Sequence, residues 1–109
     1  MLKKILLACI IIVLGCQKKN DFVYNVPWEF EPYVQKFIAE ANAKGHPLSI
    51  NNLIIQYDYS QSFQYCAQSN VISSQNDVQK IISVNAQKCW QNDTQLETLI
   101  FHELGHCIL

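Results

Sequence analysis

The segment that closes the chain, "TQLETLIFHELGHCIL", constrains the fold more than any other. Leu96, Leu99, Ile100, Leu104, Cys107 and Ile108 recur at helical spacing and make one apolar stripe that must be buried. Thr94 followed by Glu97 matches a capping box, so the helix is expected to open there. No Gly, Pro or basic residue closes it before Leu109. The polar side of this helix carries His102, Glu103 and His106 in the order H-E-x-x-H. Four residues advance about 6 Å and turn the helix slightly more than once, so both imidazoles leave the same face. Two rings so placed can meet one ion at about 2.0–2.1 Å from each nitrogen. Glu103 is set to one side of the pair, where a carboxylate can act as a base towards a metal-activated water. A bland reading stands beside this one: two His on an ordinary polar face, and a solvated Glu. Gly105 in mid-helix costs about 1 kcal/mol against Ala, which close packing of another backbone would justify. Cys107 points about 100° away from His106 and reads as core or disulfide rather than ligand. His46, in "KGHPL", reads as a surface residue.

What remains to pack against that helix is small. At the N-terminus, Lys3 and Lys4 precede an apolar run from Ile5 to Leu14. The run is too short to cross a bilayer, which takes about 20 residues. It fits a secretory h-region. The run ends in "VLGC", which resembles the lipobox of bacterial lipoproteins; Gly15 stands as the small residue and Cys16 as the lipidated one. Leu14 departs from the small residue usual at its position. The alternatives are an ordinary signal peptide or an anchor helix. The expected organisation is a signal peptide over 1–15, a lipidated Cys and tether over 16–27, and one domain over 28–109. Export and membrane attachment through a lipid on Cys16 follow from it. The chain after cleavage has six Lys, no Arg and nine acids. With no basic stripe, a nucleic-acid surface is not expected.

Within 28–109, "EFEPYVQKFIAEANAKG" is expected to be a helix, with Phe30, Tyr33, Val34, Phe37, Ile38 and Ala41 inward. Pro32 suits its first turn and Gly45 its stop, and Trp28 is expected to pack at its entry. Residues 53 to 59 alternate as a strand, and "KIISVNA" reads as another. "SFQYCAQ" and "NVIS" read as strand pieces around a turn, and "QKCWQND" as a loop. Cys66, Cys89 and Cys107 allow at most one internal disulfide, with three pairings. Cys66 with Cys89, both beside expected strands, is the pair favoured over three buried thiols.

"FHELGHC" resembles the active-site helix of zincin metallopeptidases. The chain from residue 28 onwards is similar to small metallopeptidase lipoproteins of bacteria, in which elements like "FIAEANAKG", "NLIIQY", "YCAQ" and "IISVNAQKCW" precede H-E-L-G-H-C. The resemblance implies an α+β, zincin-like fold: an N-terminal helix, a small mixed sheet and a C-terminal active-site helix. It implies one catalytic Zn2+ on His102 and His106, Glu103 as base, and a peptide or protein substrate lying along a sheet edge, for which "KIISVN" is the candidate. Catalytic zinc usually has three protein ligands. The metzincin pattern places the third His six residues after the second, beyond Leu109. The chain is therefore expected to be a C-terminal truncation with weakened zinc binding and little activity. The competing expectation is a lipid-anchored surface module that binds or braces without catalysis.

Overall fold

The computed structural model describes residues 23–74 and 77–108. The expected signal peptide over 1–15 and the lipidation site Cys16 lie outside the described residues. The fold is a small α+β arrangement of two helices and a three-stranded mixed sheet. In chain order it runs α1 (Glu31–Ala43), β1 (Leu53–Asp58), β2 (Ala67–Ser74), β3 (Asp77–Asn85) and α2 (Asp93–Ile108). Among the described residues no helix is long and apolar enough to cross a membrane.

Helix α1 has Pro32 in its first turn, where a missing N–H leaves no bond unmade. It stops in a Schellman arrangement. The His46 N–H donates to the Ala41 carbonyl at 2.8 Å and the Gly45 N–H to that of Asn42 at 3.1 Å. Gly45 has φ +84°, a conformation open to Gly without a Cβ penalty. Phe30, Val34 and Phe37 are buried. Trp28 is not: it is 84% exposed. The place expected for Trp28 belongs to Phe30, whose ring lies 5.5 Å from Tyr57 and 6.5 Å from Trp90. Trp28 and Phe30 are two residues apart at the helix entry, and Phe30 is the one the core takes.

The strand order is β1-β3-β2, with β1 parallel and β2 antiparallel to β3. "KIISVN" is therefore the central strand and not the edge. Its inward Ile82 and Val84 are buried, and it pairs on both sides. The two strand pieces expected around a turn are instead one strand: "AQSNVISS" is continuous, and the loop ends at Cys66. One sheet face presents Leu53, Ile55, Ala67, Ile82 and Val84 to the helices. There they meet Leu96, Ile100, Leu104 and Cys107 of α2 and the α1 stripe. The opposite face carries exposed Gln56, Gln68 and Asn70.

Because β1 and β3 are parallel with β2 between them in sequence, the chain must cross over the top of β3 between Asp58 and Ala67. Asn85 holds that crossing. Its N–H donates to the Cys66 carbonyl at 2.8 Å, and its side-chain Nδ2 to the Tyr65 carbonyl at 2.9 Å. Cys66 is also disulfide-bonded to Cys89, with Cα atoms 5.6 Å apart.

The two outer strands end differently. Beside β1, the Asn25 N–H donates to Leu53 at 2.9 Å and its carbonyl accepts from Ile55 at 3.1 Å. Part of the stretch expected to be a tether is thus docked on the sheet. The Tyr57 hydroxyl donates to Glu29 at 2.8 Å, and burial together with that carboxylate pushes its pKa up to about 12. Beside β2 no other described backbone pairs. Asn85 bonds Cys66 while Ala67 stands opposite Val84. By antiparallel alternation, the N–H and C=O groups of Ala67, Ser69, Val71 and Ser73 therefore point outwards along an open edge.

Candidate metal centre

Helix α2 opens two residues earlier than the Thr94/Glu97 pattern implies. Asn92 is the cap: its Oδ1 accepts from the Gln95 N–H at 2.9 Å, and its carbonyl from the Leu96 N–H at 3.1 Å. The Gln95 side chain reaches back to the Gln91 N–H at 2.8 Å. This resembles a capping box carried by an Asn and a Gln, with the return bond made to the residue before the cap instead of to the cap itself. Glu97 is drawn elsewhere, to Lys36 of α1 at 2.9 Å. That hydrogen bond raises the Lys36 pKa. The Phe37 and Phe101 rings, edge to face at 5.3 Å, bring the two helices together.

On this scaffold Leu96, Ile100, Leu104 and Cys107 face inward and the opposite side is open. His102 and His106 lie on the open side, both exposed. Their Nε2 atoms are 2.9 Å apart and their rings stand at 90°. At that distance one ring nitrogen can donate to the other, and the tautomer decides which. Both nitrogens already converge on one point. Donors 2.9 Å apart, each about 2.0–2.1 Å from a shared ion, subtend about 90° there. A small ring rotation opens this to the tetrahedral angle. The pair therefore fits two positions of a zinc-type ion. Among the described residues no group of three or more His, Cys, Asp and Glu side chains is placed to hold a metal.

Glu103, about 100° round the helix from His102, turns towards the sheet edge at β2. It is 6% exposed. The Ser69 hydroxyl donates to its Oε1 at 2.6 Å and lies 3.0 Å from its carbonyl oxygen. Ser69 is on β2, so the carboxylate of the helix is tied to the open sheet edge. A cleft of about 350 Å³ lies between them, lined in part by Ala67, Ser69, Val71, Glu103, His106 and Cys107. Cys107 is a buried free thiol. Burial is the main cause that pushes its pKa up, with Glu103 adding to it, so the thiolate form that metals prefer is disfavoured. His46 is exposed and borders a different cavity, of about 180 Å³, with Phe37 and Phe101. A Cβ built on Gly105 would meet nothing within 4 Å; the packed backbone expected there is not found among the described residues.

The structure thus brings His102 and His106 together, puts Glu103 beside them under an edge strand, and joins Cys66 to Cys89. Ser69 is the site residue that spacing alone does not reveal, because its partner is 34 residues away in sequence. Comparison of the chain with family models, with curated proteins and with solved structures gives no match.

Proposed function

We propose that this chain carries the site of a zinc-dependent metallopeptidase of zincin-like type, exported and held at a membrane by a lipid on Cys16. The observation that carries the reading is the convergence of the His102 and His106 Nε2 atoms at 2.9 Å beside the buried Glu103. His102 and His106 hold the ion. Zinc, when bound, supplies a Lewis acid that acidifies water and polarises a peptide carbonyl. Glu103 takes the proton of the attacking water and returns it to the leaving amine. Ser69 fixes one carboxylate oxygen and leaves the other for that exchange. The outward N–H and C=O groups of Ser69 and Val71 accept an extended peptide as a further strand. That arrangement sets a substrate carbonyl along the cleft that Glu103 and His106 line.

Glu103→Gln tests the assignment, since the amide keeps shape and burial but cannot accept the proton. Peptide hydrolysis is expected to fall by at least about 100-fold, the scale of a lost general base. Zinc retention and the circular dichroism spectrum are expected to stay as in the parent. A Gln variant that matches a measurable parent rate sinks the peptidase reading and leaves a lipid-anchored binding or structural module.

A further inference from the structure

Three large aromatics stand exposed at one end of the sheet: Trp28 at 84%, Tyr59 at 80% and Tyr65 at 59%. Strand register puts them there. Asp58 closes β1 level with Asn85, the last residue of β3, and Ala67 opens β2 opposite Val84. The crossing that carries Tyr59 and Tyr65 therefore lies beyond the sheet at that end, where the Tyr65 carbonyl accepts from Asn85 at 2.9 Å. Asn25 pairs in parallel with Ile54, so the chain leaving it runs towards the same end. There Glu29, next to Trp28, accepts the Tyr57 hydroxyl at 2.8 Å. The Tyr59 ring lies 6.2 Å from that of Tyr57, and the Lys88 ammonium 5.9 Å from the same ring. Trp and Tyr join an apolar ring to a polar tip, which suits the boundary between water and acyl chains. The carboxylates of Glu29 and Asp58 outnumber the one ammonium of Lys88, so this end offers aromatic surface rather than positive charge.

We propose that this end of the domain is the face laid on a lipid bilayer, with Trp28 and Tyr59 entering the headgroup boundary. The inference rests on the lipid attachment at Cys16 given above and adds an orientation to it. The chain length permits that orientation. Val23 to Trp28 is five residues beside β1 and covers at most about 17 Å. Cys16 to Val23 is seven residues, which at full extension span about 24 Å, so a lipid on Cys16 can reach the plane that Trp28 touches. Helix α2 starts at the same end, where Trp90 meets Phe30 at 6.5 Å. Its axis carries His102 about 14 Å and His106 about 20 Å from its first residue. The candidate site is thereby held off the lipid, and its cleft meets peptides that arrive through water.

The full chain is produced in a bacterium and reconstituted in phosphatidylcholine vesicles, with and without bromine on the upper part of the acyl chains. Vesicle flotation and the mass of the Cys16 peptide report the anchor. Tryptophan emission reports the face, because the chain has only Trp28 and Trp90. Emission is expected to shift to shorter wavelength on reconstitution and to fall in the brominated vesicles, and 0.5 M salt is expected to leave the loss unchanged. The Trp28→Phe chain keeps half-buried Trp90 and is expected to show neither change, with an unaltered circular dichroism spectrum. A chain that carries lipid and floats, yet keeps Trp28 unquenched, overturns the docked face and leaves the anchor standing. Quenching of Trp28 in a chain without lipid keeps the face and overturns the anchor. A chain that neither carries lipid nor floats overturns both. Equal quenching of the Trp28→Phe chain, or a loss abolished by salt, overturns the proposal, as does a Trp28 shielded from aqueous iodide but untouched by brominated lipid, which assigns the face to a protein contact.

Discussion

Glu103 shows how much one side chain on a distant strand can decide. A carboxylate that is 6% exposed has lost most of its water and needs hydrogen bonds in its place. Ser69 supplies one at 2.6 Å. Ser69→Ala removes it without changing the backbone. A lost hydrogen bond to a charged group is worth about 1.5–3 kcal/mol, and urea unfolding of the Ala variant should show a loss of that order. Ser69→Thr keeps a hydroxyl and should recover most of it. If the Ala variant unfolds at the parent's urea concentration, the carboxylate is satisfied by something other than Ser69. His102, Glu103 and His106 could be named in advance because a helix fixes which residues lie one turn apart. Ser69 could not, because strand alternation says which face a residue takes but not which helix waits there. Trp28 was misjudged for a related reason. Both it and Phe30 are large aromatics at the entry to α1, and composition does not choose between them.

The start of α2 carries the same lesson to the element. Thr94 with Glu97 and Asn92 with Gln95 are both plausible caps, and they differ by two residues of register. Asn92 takes the Gln95 N–H at 2.9 Å, while Glu97 is engaged by Lys36 on α1 at 2.9 Å. Asn92→Ala should lower stability by about 1 kcal/mol, the usual cost of a lost cap. Thr94→Ala should change it by less than about 0.5 kcal/mol, as for an exposed position outside such a feature. Thermal unfolding of the two variants separates them, and equal effects would return the cap to Thr94. The strands were legible from alternation at 53–59 and from apolar β-branched content at 80–86, but their order was not. Adjacent Ile81 and Ile82 in "KIISVN" would suggest a strand covered on both faces, but the face away from the helices carries exposed Gln56, Gln68 and Asn70. The run therefore gives no sign that β3 is the strand paired on both edges.

For the whole molecule, α+β character followed from two well-punctuated helices around β-branched segments, whereas the mixed pairing depended on a crossing that no local pattern specifies. That crossing, between Asp58 and Ala67, is also where the small fold is stapled. Asn85 bonds it from β3, and the Cys66–Cys89 bridge encloses all of β2 and β3 with a sequence separation of 23. A domain of this size buries a modest core, so the cross-link should be a substantial part of its stability. Chain-entropy reasoning for a loop of this length gives about 3 kcal/mol, against a total of about 5–15 kcal/mol for ordinary domains. Replacing Cys66 and Cys89 together by Ser should shift the urea midpoint down by a corresponding amount, and a reductant should do the same to the parent. The loss should appear at the edge first. Without the bridge, the start of β2 is held to β3 only by ladder bonds and Asn85, so amide exchange at Ala67 to Ser69 should accelerate before that of β1. Because Ser69 holds Glu103, loosening there reaches the carboxylate of the proposed site while His102 and His106, on their own helix turn, keep their spacing. A double-Ser chain with the parent's midpoint and unchanged exchange in β2 would show that the crossing is secured by its hydrogen bonds alone.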